Sequence, residues 1–169
     1  MFTRLEIAAI SFEPTKFCLA KNANQLEKMF RKAAAKGAQL ALAPEGILEG
    51  YVVMDIIEKR VPAEQMREVA ISLRGSIIKR FRFLAKELKI CLAFGLAETV
   101  GQNIYNSAIF IDQTGKICGK YHKMQLAEGY HPSWWFNRIG EKSRAFPPPF
   151  GRSGFLICND RWNPDIARI

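Results

Sequence analysis

Histidine is scarce in this 169-residue chain: there are two, His122 and His131. The four cysteines, Cys18, Cys91, Cys118 and Cys158, stand singly with no Cys-x-x-Cys pair, and neither histidine has zinc-ligand spacing to a cysteine pair. A zinc-built fold is therefore not expected, nor is any metal or cofactor. No apolar run reaches the roughly 18 residues needed to span a bilayer. Glu6 and Glu13 bracket too short an apolar stretch for a signal-peptide core. No membrane association is expected, and the expected setting is the reducing cytoplasm, where lone cysteines stay free. Internal repeats, low-complexity tracts and linkers are also missing, so one domain is expected.

Acidic residues are the scarcer charge, 16 against 25 Lys and Arg, for a net charge of +9. A basic surplus suits nucleic acid or an anionic surface. Its densest stretch runs from Arg74 to Lys89 and includes Lys79, Arg80, Arg82 and Lys86. This reads as the solvated face of a helix. No helix-turn-helix, RNA-binding aromatic motif or zinc pattern accompanies it, so no nucleic-acid partner is expected. Hydrophobic residues make up 49% and charged residues 24%, a balance that favours a packed globular domain over disorder.

The patterning predicts a layered α/β domain. Residues 4–12 read as a buried strand. Asn22 with Gln25 resembles a capping box opening a helix, with Leu26, Phe30 and Ala33 or Ala34 on its apolar stripe. Gly37 suits the left-handed end of that helix. Leu40 to Ala43 forms a strand stopped by Pro44. Pro62 opens a second helix whose stripe, Met66, Val69, Leu73, Ile77, Phe81 and Leu84 or Ala85, ends near Leu88. A meander follows: strands over 90–97, 104–111 and 116–121, with turns at Gly101–Asn103 and Asp112–Gly115. Residues 122–153 show no periodicity. A last strand, Gly154 to Cys158, precedes a helix opened by Asn163, Pro164 and Asp165. Cys91 and Cys118, in apolar strands, are expected to fill core space.

Three residues stand just past predicted strand ends and carry useful chemistry. Cys158, in GFLICNDRWNPD, lies at a strand-to-helix junction, which lifts a nucleophile clear of a sheet and aims backbone amides at its substrate. A thiol at neutral pH needs a base or a nearby cation. Glu45, in LALAPEGILEGY, is placed to accept a proton. Lys123, in GKYHKMQL, is placed to stabilise a thiolate or an oxyanion. A pairing of Cys158 with His122 or His131 has no supporting spacing.

The order Glu, Lys, Cys, with the blocks APEGILEGY, NIYNSAIFIDQTGKICGKYHK and GFLICNDRWNPD, resembles the nitrilase superfamily of carbon–nitrogen hydrolases. The last block is similar to a segment of N-carbamoyl amino acid amidohydrolases. The resemblance implies that Glu45 is the general base, Cys158 the nucleophile and Lys123 the stabiliser of the tetrahedral intermediate. It implies that the backbone amide of Asn159 completes the oxyanion hole. Glu128, in AEGYHP, looks like the family's second glutamate. The implied reaction is hydrolysis of a non-peptide C–N bond in a small amide or N-carbamoyl compound through a thioester, without a cofactor. Tyr51 and Trp134 are expected to bind substrate, although Trp134 and Trp135 suit a subunit interface equally. Asp160 and Arg161 are expected to hold the nucleophile junction, by an ion pair or by ordinary structural bonding. Asp165 stands where the carbamoylase-like segment commonly has a glutamate.

The resemblance also implies a four-layer α-β-β-α sandwich, normally in a longer domain. Eleven residues follow Cys158, so residues 1–169 are expected to form an incomplete sandwich running through the nucleophile strand. An apolar sheet face is then expected to lack its usual cover. A fragment, a shortened paralogue retained as an interaction protein, and a chain completed by a partner all fit that expectation. A homo-oligomer is expected where the remaining half is present.

Overall fold

The computed structural model describes residues 4–126 and 139–168. Its centre is one five-stranded mixed sheet in the order β1-β2-β3-β4-β5. Strands β1 (Ile7–Ala9), β2 (Leu40–Leu42) and β3 (Cys91–Val100) run parallel. Strands β4 (Asn103–Ile111) and β5 (Ile117–His122) continue antiparallel as a meander. Helix α1 (Leu19–Ala35) crosses from β1 to β2. Helices α2 (Val53–Ile57), α3 (Met66–Val69) and α4 (Ser76–Leu88) lie between β2 and β3. The described residues thus form a helix layer and a sheet layer of the expected sandwich.

Strand alternation sorts the sheet residues onto two unlike faces. On one face Leu92, Phe94 and Leu96 of β3 join Ile109 and Ile111 of β4 beneath α1 and α4. The cover comes from Leu26, Phe30 and Ala33 of α1 and from Phe81, Leu84 and Ala85 of α4, as expected, with Ile78 fully buried in place of the expected Ile77, itself half-buried beside it. Phe30 meets Phe81 edge-on at 5.8 Å, and Phe81 meets Phe94 at 5.0 Å, the offset geometries that ring quadrupoles favour. Arg80 of the basic stretch is spent within this layer, on Glu27 at 2.5 Å and Asn24 at 2.7 Å. Arg82 donates to the Gly115 carbonyl.

The opposite face is built from small residues, Ala93, Gly95 and Ala97 on β3 and Ala108 on β4. Residues 146–157 lie across its β4–β5 side, where Phe146 packs on Phe110 and Ile157 on Tyr121 and Ala108. The ring of Phe146 occupies the space a side chain at Gly119 would need. Toward β1 and β2 the face is open: Ile7, Leu42 and Leu156 are exposed.

Four expectations are corrected. The first strand is three residues long rather than nine. Asn22 caps nothing, because α1 starts three residues earlier. Its buried amide instead accepts from Thr15 N at 2.7 Å and donates to the carbonyls of Thr15 and Leu48. The second long helix is broken. After a 3-10 turn (Ala63–Gln65) and α3, the chain extends so that Ile71 N donates to Ala97 O at 2.9 Å and the Ile71 carbonyl accepts from Thr99 N at 3.0 Å. The cause is length: β2 ends at Leu42 while β3 runs to Val100, and Ile71 serves the edge β2 leaves. Helical apolar spacing persists on both sides of the break and conceals it. Finally, residues 154–157 are extended but unpaired with the sheet. The Ile157 amide goes to the Asp160 carboxylate instead of a neighbouring strand.

Gly95 marks the closest approach in this layer. A Cβ there would lie 2.6 Å from Glu45 Cα and 2.9 Å from the Pro44 carbonyl. Gly95→Ala is expected to cost about 3 kcal/mol, because backbone on both sides must shift. Gly154→Ala, with open space around it, is expected to stay within about 0.5 kcal/mol. Urea unfolding of the two variants checks the contrast.

Candidate active site

Glu45 leaves β2 directly after Pro44, whose carbonyl accepts from Gly95 N at 3.2 Å and so pins the strand end to β3. Its Oε1 accepts from Lys123 Nζ at 2.8 Å and from Asn106 Nδ2 at 2.5 Å. Lys123 follows β5 and is almost fully buried, with 2% of its surface exposed. Its amide bonds to the Asn106 carbonyl, which fixes the direction of approach. The ion pair therefore joins residues 78 positions apart and needs the four neighbouring strands β2 to β5 to form. A buried ammonium is costly unless it is paired and hydrogen-bonded, and Glu45 meets that need.

Asn106 was missed by sequence reasoning. The available signal was an amide at an inward-facing strand position inside the apolar run of NIYNSAIF, where a buried polar group demands a partner.

Cys158 opens a 3-10 turn (Cys158–Trp162) with φ of +48°. A non-glycine residue in this left-handed region is uncommon and signals an imposed conformation. Its side chain is exposed, unlike that of Cys91. Cys158 and Glu45 both line a cavity of about 320 Å³, with Ala9, Leu42, Phe94 and Leu156 among its other walls. Burial pushes the Cys91 thiol up to about 11 and raises that of Cys118, which keeps both in the unreactive thiol form.

Asp160 holds the turn. It is wholly buried and accepts from Tyr121 Oη at 2.8 Å, Gln125 N at 2.8 Å and Ile157 N at 3.0 Å. Burial, then the Asp160 bond, holds the Tyr121 phenol above its ordinary range, so the hydroxyl remains a donor. The alternative of an Asp160–Arg161 ion pair is not realised. Arg161 lies over the Trp162 ring instead, 5.3 Å from its centre. The Asn159 side chain donates to the Leu126 carbonyl. Asn163 accepts from Asp165 N, the expected cap of helix α5 (Pro164–Ala167).

His122 is occupied on the helix-covered face. Its Nε2 lies 2.8 Å from Glu98, which also binds Ser107 and Lys120, and its ring stacks on Tyr105. Burial would raise the Glu98 carboxyl, but the His122 hydrogen bond, the Lys120 charge and the Ser107 hydroxyl take it below its usual range. Tyr51 has φ of +49° and its ring lies against Gly46, beside Glu45 but outside the cavity wall. Glu128, His131, Trp134 and Trp135 fall outside the described residues. Among the described residues, no cluster of His, Cys, Asp and Glu suits a metal ion, and no helix is long and apolar enough to cross a membrane.

A left-handed cysteine and a lysine-bound glutamate thus line one cavity. The chain belongs to the carbon-nitrogen hydrolase family, whose model matches residues 6–169. It is 28% identical to N-carbamoylputrescine amidase of Oryza sativa subsp. japonica over 98% of this chain and 54% of that one. It is 27% identical to citrullinase of Francisella tularensis, covering 98% and 56%. A nitrilase of Pyrococcus abyssi is 30% identical, covering 97% and 59%. The chain thus spans about half the length of the curated relatives it matches. Among solved structures, an amidase from Nesterenkonia sp. AN1 is 25% identical with a TM-score of 0.76, over 98% of this chain and 61% of that one. In that structure acrylamide has added to the active-site cysteine.

The turn gives a direct test of Asp160. Asp160→Ala strands three donors and is expected to cost about 3 kcal/mol or more, whereas Arg161→Ala is expected to change stability by less than about 0.5 kcal/mol. Denaturant titration of both variants reads the difference.

Proposed function

We propose that this protein hydrolyses a non-peptide C–N bond in a small amide or N-carbamoyl compound, with Cys158 as nucleophile. The reading is carried by one observation: Glu45, fixed by Lys123 and Asn106 through a single oxygen, shares a cavity wall with a thiol on a left-handed backbone. The fixed oxygen orients the carboxylate, and its second oxygen takes the thiol proton. Sulfur then attacks the acyl carbon, and the carbonyl oxygen takes up the negative charge. The Lys123 ammonium and the Asn159 amide stabilise that oxyanion. Collapse of the intermediate breaks the C–N bond, and Glu45 returns its proton to the departing ammonia or amine. A thioester remains on Cys158. Water attacks it while Glu45 again accepts a proton, which returns the thiol and frees the carboxylic or carbamic acid.

The names of the relatives support the substrate class, since carbamoyl and simple amide compounds recur among them. The apolar wall of Ala9, Leu42, Phe94 and Leu156 favours a substrate with an uncharged portion beside its amide. Tyr51 and Trp134 are carried forward as substrate-binding residues and Glu128 as an acid near Lys123.

Cys158→Ala is expected to abolish turnover of small amides, and Cys91→Ala to leave it intact. Iodoacetamide is expected to alkylate Cys158 selectively in the native protein, with protection by an amide substrate. Equal labelling of all four cysteines, without protection, would favour a binding protein on the same scaffold.

A further inference from the structure

Glu49 is a buried carboxylate that the proposed chemistry does not use. It lies in the turn after Glu45, with 3% of its surface exposed. Its Oε2 accepts from Ala97 N at 3.2 Å. That bond completes a series. Along the β2 side of β3, Cys91 N donates to Gln39 O and Gly95 N to Pro44 O, and beyond Ala97 the amide of Thr99 donates to Ile71 O. Between Pro44, just past the end of β2, and Ile71, where a new partner arrives, the Ala97 amide is met by the Glu49 side chain. Its other oxygen lies 3.1 Å from where a Cβ on Gly46 would stand. The carboxyl is thus packed under the turn that carries the general base.

We propose that Glu49 is a positioning residue for Glu45: its carboxyl ties the base-bearing turn to β3, and its ionisation places a second negative charge behind the base. Burial is the main cause that pushes the Glu49 carboxyl up to about 7, and the charge of Glu45 adds to it. The other charged groups on the packed elements are engaged elsewhere. Lys123 is bound to Glu45. Lys16 and Arg60, flanking the same loop, pair with Asp55. Glu98, next to Ala97 on β3, turns to the other sheet face and its Ser107, Lys120 and His122 partners. Among the described residues, Glu45 is therefore the charge that acts on Glu49, and by reciprocity Glu49 acts on Glu45.

The sign of the stability effect follows from proton binding. Below pH 4.5 the carboxyl is protonated in folded and unfolded chains alike. Between 4.5 and about 7 the folded protein keeps a proton that the unfolded chain gives up, so stability falls as pH rises, and the loss is complete above about 7.

Glu49→Gln preserves an oxygen for the Ala97 amide and removes the titration. Two profiles are compared over pH 4–9: the Tm, and the rate at which iodoacetamide alkylates Cys158. The wild-type Tm is expected to fall relative to Glu49→Gln between pH 4.5 and 7, and the wild-type alkylation profile to carry an inflection near pH 7 that the variant lacks. Superimposable alkylation profiles, with or without a uniform loss of stability in the variant, overturn the proposal by leaving Glu49 a purely structural role. If Glu49→Gln does not fold, carboxyl NMR of the wild-type protein decides: a Glu49 midpoint near 7 supports the proposal, and one between 4 and 5 overturns it. The proposal rests on Glu45 being the base. Unselective alkylation of Cys158 would sink that reading, whereas the Tm slope and the NMR midpoint report on Glu49 alone.

Discussion

The buried ion pair between Lys123 and Glu45 sets the terms for the rest of the molecule. An ammonium with 2% of its surface exposed has to be compensated where it stands. Its partner comes from a strand end on the far side of β3 and β4, so the sheet must be assembled before the charge is matched. Asn106 completes the arrangement from the strand between. Three separate stretches of chain are thereby brought into one register, and a slip of one residue in β4 or β5 would turn Asn106 or its neighbours to the wrong face. Removing either charge alone would leave the other buried and unpaired.

The small residues of the sheet face that carries Glu45 and Lys123 follow from the same constraint. Gly95 lets β3 pass against the Glu45 backbone, and Gly119 admits the Phe146 ring. The helix-covered face carries the large side chains that stabilise the domain, including the Phe30, Phe81 and Phe94 group. The sheet therefore divides its work. Bulk packing lies under α1 and α4, and close backbone approach lies beside Glu45. Asp160 performs the corresponding task for the Cys158 turn, since its three donors come from β5, from the chain just after β5 and from Ile157.

Much of this was legible in the sequence, for identifiable reasons. The apolar stripes of α1 and α4, the turns of the β3–β5 meander and the Asn-Pro-Asp start of α5 depend on local periodicity and local bonding, and they appear as expected. The meeting of Glu45 and Lys123 was legible through a family pattern. What stayed hidden depends on distant partners. Asn22 looks like a cap because its use, holding Thr15 and Leu48, requires the fold to exist. Ile71 looks helical because nothing nearby reveals that β3 outruns β2. Residues 154–157 look like a strand because their composition is strand-like, while the Ile157 amide is claimed by a carboxylate three residues ahead. Asn106 and Glu49 look like ordinary polar positions until the fold buries them and brings Glu45 to the one and the Ala97 amide to the other.

The exposed portion of the cavity wall has an evolutionary consequence. Glu45, Lys123 and Asn106 are locked by strand pairing, whereas Leu42 and Leu156 meet the cavity from a strand end and a loop and are exposed. Substitutions at the rim alter the shape offered to a ligand at small cost to folding, while substitutions at the locked positions threaten both. A scaffold of this kind can change what it accepts by drift at its margin while its reactive centre stays fixed, and relatives with different named substrates on one family frame are the pattern that such a partition would leave.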